Sequence, residues 1–184
     1  MQKITIRDIQ SFKGQGTPFA TVTAYDYGSA SYADTVEIPL LLVGDSAAMV
    51  VYGMDTTIPI SMEELIFLVR AVRRGSNKAL VVADMPFMSY QASIEDAVRN
   101  AGRFIKEGGA EAVKLEGGTV YSAQIKAIID AGIPVMGHVG LLPQSYHLSS
   151  GYRIQGKTQL EAEKIVSDAM AIQASGAFSI VLEG

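Results

Sequence analysis

Short apolar runs recur along this chain, and most of them end on a polar or ionisable residue. LLLVGDS closes on Asp45 and Ser46, ALVVAD on Asp84, AVKLEGG on Lys114 and Glu116, PVMGHVG on His138, and SIVLEG on Glu183. Unbroken Val, Leu and Ile runs of this length read as parallel strands buried on both faces. They predict strands near Phe19–Tyr25, Leu40–Asp45, Ala79–Asp84, Ala112–Glu116, Pro134–His138 and Phe178–Glu183. An acid that follows a strand also serves to cap the next turn, so one such residue decides little. Five in succession describe the layout of an active site built at strand ends.

Helical spacing fills most of the gaps. Ser61 and Glu64 form a capping box ahead of a stripe of Leu65, Leu68, Val69 and Val72. Ser93 and Asp96 open the next helix, whose stripe is Ile94, Ala97, Val98, Ala101, Phe104 and Ile105 and whose stop is the glycine pair 108–109. Tyr121, Ile125, Ile128 and Ile129 mark a further helix. Ala162, Ile165, Val166, Ala169 and Ile172 mark another, after the long loop LLPQSYHLSSGYRIQGK. Strand ends fall about 20 to 45 residues apart, the spacing of βα units. An open doubly wound sheet concentrates its chemistry at one switch point, whereas here successive strands all end in candidate groups, which favours a (β/α)8 TIM barrel. A complete barrel runs to about 250 residues. The 184 residues therefore predict a single barrel domain, 1–184, that carries about the first six βα units and stops after the sixth strand.

Composition narrows the partners. A net charge of −4 and no basic run beyond Arg73 and Arg74 give no footprint for nucleic acid. No apolar stretch approaches the roughly 18 residues that span a bilayer, and the start MQKITIRDIQ lacks a signal-peptide core. A small molecule is the expected partner. The absence of cysteine excludes disulfides and thiolate chemistry and agrees with a reducing cytoplasm.

Two patterns mislead. GYRIQGKT, Gly151–Thr158, matches the P-loop expression but follows polar SYHLSS instead of a buried strand, so it carries no nucleotide-binding expectation. GQGTPF at Gly14 precedes a strand and reads as a turn. The carboxylates are the stronger signal. Asp45 and Asp84 end neighbouring strands and suit Mg2+, which takes one or two carboxylates and leaves other positions to water and substrate; Glu116 is a third candidate. Lys114 and Glu116, two apart on one strand, share a face, which puts an ammonium beside the metal for a substrate carboxylate; the structural alternative is a buried Lys114–Glu116 ion pair. Glu183 is the candidate base, on the expectation that an apolar mouth raises its pKa. His138, one of two histidines, and Tyr25 stand behind these as second candidates.

TAYDY at Thr23, LLVGDS at Leu41, ADMPFMSY at Ala83, VKLEGG at Val113, GHVGLLPQS at Gly137, GYRIQGK at Gly151 and VLEG at Val181 together resemble the ketopantoate hydroxymethyltransferase family. The resemblance implies Mg2+ held through Asp45, Asp84 and Glu116. It also implies a 2-oxo acid held by Ser46 and Lys114, and Glu183 as base. The implied reaction moves a hydroxymethyl group from 5,10-methylenetetrahydrofolate to 3-methyl-2-oxobutanoate, giving 2-dehydropantoate, in a cytoplasmic homo-oligomer that the family makes a decamer. The alternatives are another Mg2+-enolate barrel, a lyase or mutase acting on a 2-oxo acid, or an inactive barrel fragment. A lyase or mutase of that kind needs a second cationic site, yet most arginines fall in the predicted helices (Arg70, Arg73, Arg74, Arg99, Arg103).

Overall fold

A computed structural model describes residues 3–16 and 18–184. Six parallel strands, β1 (Thr21–Thr23), β2 (Leu40–Val43), β3 (Leu80–Asp84), β4 (Ala112–Glu116), β5 (Val135–Gly140) and β6 (Ser179–Glu183), lie side by side in chain order. Each pairs only with its sequence neighbours among the described residues, and helices connect them: α2 (Tyr27–Thr35), α3 (Ala47–Val50), α4 (Met62–Gly75), α5 (Ile94–Arg103), α6 (Ser122–Asp130) and α7 (Gln159–Ala174). This is a partial (β/α)8 barrel, as the βα spacing predicts. The expected first strand, Phe19–Tyr25, shrinks to Thr21–Thr23, because β1 has one neighbour and is exposed along its length.

The period-two alternation of the strands sorts their side chains into two cores. Leu41, Val43, Val81, Ala83, Val113 and Leu115 point outward into the large core shared with the helices. Leu40, Leu80, Val82, Ala112 and Met136 point inward with Ile9. A short helix that the apolar pattern does not announce, α1 (Ile6–Ser11), delivers Ile9. A Thr5–Asp8 capping box opens it, and Ile4 N–H donates to the Lys78 carbonyl at the foot of β3. Continuing each strand on the inward face leads from these apolar residues to Asp84, Lys114, Glu116 and His138. The barrel interior is therefore apolar at the bottom and ionisable at the C-terminal mouth.

The helix readings hold with two corrections. Ser61 and Ser93 cap α4 and α5 as expected, and Leu65, Val69, Val72, Ala97, Ala101 and Phe104 are buried. Ile94 is exposed, since it occupies the first turn, where the stripe has not yet met the core. Val166 is exposed as well; with Leu160 and Met170 it faces away from β5, while Ile172 of the same helix is fully buried against Gly137. Residues 151–158 follow no strand, and Thr158 caps α7, so the P-loop-like segment is a surface connection. The turn expected at Gly14 includes position 17, outside the described residues.

Candidate active site

Register alone brings the central charges together. Asp84 on β3 is the cross-strand partner of Lys114 on β4, and Glu116 is the partner of His138 on β5. All four side chains face inward and are almost fully buried. Lys114 Nζ donates to both oxygens of Asp84, at 2.7 and 2.8 Å. The lysine thus pairs across the strands with Asp84, not with Glu116 two residues along its own strand.

Asp45 arrives from the turn after β2. A Cβ at Gly44 would lie 2.8 Å from Ser46 Oγ, so a larger residue here would push the Ser46 hydroxyl out of its place. The tight turn lets Asp45 N–H donate to Asp84 Oδ2 at 3.2 Å. Ser46 makes no side-chain cap on α3; its hydroxyl is 2.8 Å from that of Tyr25, which fixes it at the rim of the mouth.

Burial of three carboxylates against one ammonium leaves negative charge in excess. Burial, reinforced by the charge of Asp84, pushes Asp45 up to about 7. Burial likewise pushes Glu116 up to about 8, against the pull of Lys114. Burial opposes the charge on Lys114, yet Asp84, Glu116 and Asp45 together raise it to about 12. Glu116 Oε1 has no hydrogen-bond partner among the described residues. No group of three His, Cys, Asp or Glu is assembled as a ready metal cage among them, because Lys114 occupies Asp84 and Glu116 turns towards the loop after β5. The donor set still fits a hard divalent cation. Asp45 and Asp84 adjoin, the oxygens are buried, and a cation would favour ionisation of the two acids that burial keeps protonated.

Glu183 departs from expectation. It reaches the mouth, with Oε2 3.2 Å from His138 Nε2, but its side chain is 44% exposed. The His138 ring beside it holds its pKa below the ordinary value, outweighing partial burial, so the expected elevation is absent. Burial lowers the pKa of His138, which leaves the ring neutral beside a charged Glu183. The other ring nitrogen, Nδ1, is 3.6 Å from Glu116 Oε1. Gly140 (φ 94°) has no room for a Cβ beside the Glu183 backbone, so the end of β5 is shaped to let β6 bring Glu183 close.

Two residues with site contacts carry no signal in the strand pattern, although both sit inside the quoted motifs: Gln144 in GHVGLLPQS and Tyr90 in ADMPFMSY. Gln144 N–H donates to Glu116 Oε2 at 3.0 Å and its side chain to Asp45 Oδ2 at 3.0 Å. The Tyr90 hydroxyl is 2.9 Å from Gln144 Oε1 and accepts from Glu116 N–H at 3.2 Å.

Residues 3–184 match a family model described as ketopantoate hydroxymethyltransferase. Among curated relatives, a 3-methyl-2-oxobutanoate hydroxymethyltransferase of Frankia alni is 55% identical over 98% of this chain and 59% of its own length. One of Carboxydothermus hydrogenoformans is 53% identical over 100% of this chain and 66% of its own. The chain thus spans about three fifths to two thirds of the length of these relatives. A solved phosphonopyruvate hydrolase in complex with oxalate and Mg2+ superimposes with a TM-score of 0.73 at 14% identity, covering 100% of this chain and 64% of that one, which is a likeness of fold.

Proposed function

This chain belongs to the ketopantoate hydroxymethyltransferase family, and on that premise we propose that it acts as a 3-methyl-2-oxobutanoate hydroxymethyltransferase. The reaction takes a one-carbon unit from 5,10-methylenetetrahydrofolate and yields 2-dehydropantoate and tetrahydrofolate, a step towards pantothenate and coenzyme A. The observation that carries this reading is the buried, acid-rich mouth around the Asp84–Lys114 pair, built from the residues that the family resemblance names.

Asp45 and Asp84 would hold Mg2+, with Glu116 bound directly or through water, and the ion would supply Lewis-acid polarisation of the 2-oxo acid. Lys114, held charged by its acidic neighbours, compensates the substrate carboxylate or the developing enolate oxygen. Ser46, oriented by Tyr25, donates a hydrogen bond to the substrate. Glu183 takes the C3 proton, and its low pKa keeps it ionised and ready to accept. The electron pair left on C3 forms the new bond to the folate's methylene carbon. The two bonds of that carbon to nitrogen are exchanged for this C–C bond and a bond to a water oxygen. A cytoplasmic homo-oligomer, a decamer by the family pattern, belongs to the same reading.

The lyase or mutase alternative would need a second buried cation, and Lys114 is the one Lys or Arg side chain buried among the described residues. Arg103 pairs with Glu63 and Glu107 on the outer surface, and Arg73 caps its own helix.

Solvent exchange of the C3 proton of 3-methyl-2-oxobutanoate, followed by NMR in D2O with Mg2+, tests the proposal. Exchange should depend on Mg2+ and fall at least about a hundredfold in Glu183→Gln, the range for loss of a general base. Substrate binding by calorimetry should persist. Undiminished exchange in the glutamine variant would move the base role to another residue.

A further inference from the structure

Gln144 sits in the turn Pro143–Ser145, where the chain leaves β5 for the long loop, and is 5% exposed. Its side-chain amide is fully committed. Nε2 donates to Asp45 Oδ2 at 3.0 Å and to the Met85 carbonyl at 2.8 Å. Oε1 accepts from Gln91 Nε2 at 3.0 Å and faces the Tyr90 hydroxyl at 2.9 Å. With carboxylate and carbonyl on one side and donors on the other, only one orientation of the amide satisfies every group. The backbone N–H of the same residue meets Glu116 Oε2 at 3.0 Å. One loop residue therefore touches two of the three buried carboxylates, and Tyr90, hydrogen-bonded to the Glu116 backbone N–H, sets how it is turned.

Gln144 holds Asp45 by Oδ2 at 3.0 Å, and the Thr57 hydroxyl stands close enough to the same carboxylate to lower its pKa. A loop anchor would need only the backbone contacts and Met85. Spending an amide hydrogen on Asp45 does something further, because it fixes the carboxylate's rotation. We infer that Gln144 is a positioning residue for Asp45: it occupies Oδ2 and leaves Oδ1 as the oxygen offered to the cation, with Tyr90 holding the amide in register. This rests on Asp45 being a metal-binding group, as proposed above, and the test separates the two claims.

Mg2+ titration by calorimetry, without substrate, should show Gln144→Leu binding the ion about ten- to a hundredfold more weakly, the worth of one hydrogen bond to a charged group. Tyr90→Phe keeps Gln144 but frees its amide, and should weaken Mg2+ by a smaller factor, about threefold to tenfold. A Gln144→Leu protein whose melting temperature falls while its Mg2+ affinity stays within about twofold of the wild type would overturn the inference and leave Gln144 a structural anchor. If the wild-type protein binds no Mg2+, the magnesium reading fails, and a metal-free measurement decides the positioning claim. The Gln144 side-chain amide protons, identified by NMR as the pair lost in Gln144→Leu, should exchange slowly with solvent and shift in Asp45→Asn. A pair that exchanges freely or ignores Asp45→Asn overturns it.

Discussion

Strands β4 and β6 both present carboxylates to the same mouth, yet they stand in different solvents. Every residue of β4 is buried, and so is every residue of β3 beside it. No residue of β6 is, and Leu182 is 71% exposed. The cause is neighbours. β4 has a strand on each edge and helices behind it, while β6 pairs with β5 alone among the described residues. At the centre, charges stripped of water act strongly on one another, which is why Glu116 and Lys114 are both driven far from their ordinary values. At the edge, Glu183 keeps water and a single histidine contact, and its pKa lies below the ordinary carboxylate value. The charge cluster that would bind ion and substrate is thus set by β2 to β5. The environment of Glu183, the proposed base, depends on what lies beside β6.

If that contrast is right, damage at the centre should be costly for folding. Lys114→Met strands the Asp84 charge inside the barrel, and we expect it to remove about 3–5 kcal/mol of stability, the cost of leaving one member of a buried pair unpaired. Urea denaturation of metal-free protein reads this directly, and a loss under about 1 kcal/mol would mean that water reaches the pair. The apolar neighbours should follow the same divide. Leu115→Ala, at a fully buried position, should cost about 2–5 kcal/mol, whereas Leu182→Ala should stay within about 0.5 kcal/mol. Equal losses would erase the distinction between centre and edge.

The same divide explains what was legible in the sequence. Strands buried on both faces write themselves as unbroken apolar runs, so β2 to β5 are readable almost to the residue. The edge strand β1 and the short helix α1, which buries only Ile9, leave weak traces. Alternation along β4 was enough to place Lys114 and Glu116 on one face. It does not reveal register, and so could not say that Lys114 would meet Asp84 instead of Glu116. Val166 fits a helical stripe by spacing, but α7 meets the sheet on a narrower face than the stripe implies. Gln144 and Tyr90 lie within motifs yet do not stand out from the sequence, since an amide and a hydroxyl in a connecting segment have no periodicity to betray them. The expectation that Glu183 would be raised in pKa assumed a closed wall, and strand periodicity carries no information about a strand's far neighbour.

A gentler probe of the centre is pH. Asp45 and Glu116 hold their protons in the folded protein at pH values where the unfolded chain has released them. The native state therefore binds more protons, and stability falls as pH rises towards their folded values of about 7 and about 8. His138 acts oppositely, being held neutral in the fold, but its effect ends near the ordinary histidine value of about 6.5. Lys114, raised to about 12, begins to lose its contribution only above the ordinary lysine value of about 10.4. Between pH 7 and 9, in EDTA, metal-free protein should lose roughly 1–2 kcal/mol, a drop of a few degrees in melting temperature. A flat profile would show that the two acids are already ionised, and with it that the mouth is less dry than β4 suggests.

The smallest expected effect is at the edge, and it sharpens the comparison most. Glu183→Gln keeps the size of the side chain and an oxygen to accept from His138 Nε2, while removing a charge that is already half in water. Exposed charges contribute little to folding, so the stability change should lie within about 0.5 kcal/mol in either direction. The same substitution is expected to abolish C3 proton exchange. That combination, a large chemical effect with almost no folding effect, is what separates a reacting group at an open edge from the charges that hold the centre together. Thermal melts of the wild type and Glu183→Gln at pH 7.5, without metal, make the measurement. A loss above about 2 kcal/mol would show Glu183 to be a structural partner of His138, since only a buried hydrogen bond to a charge is worth that much.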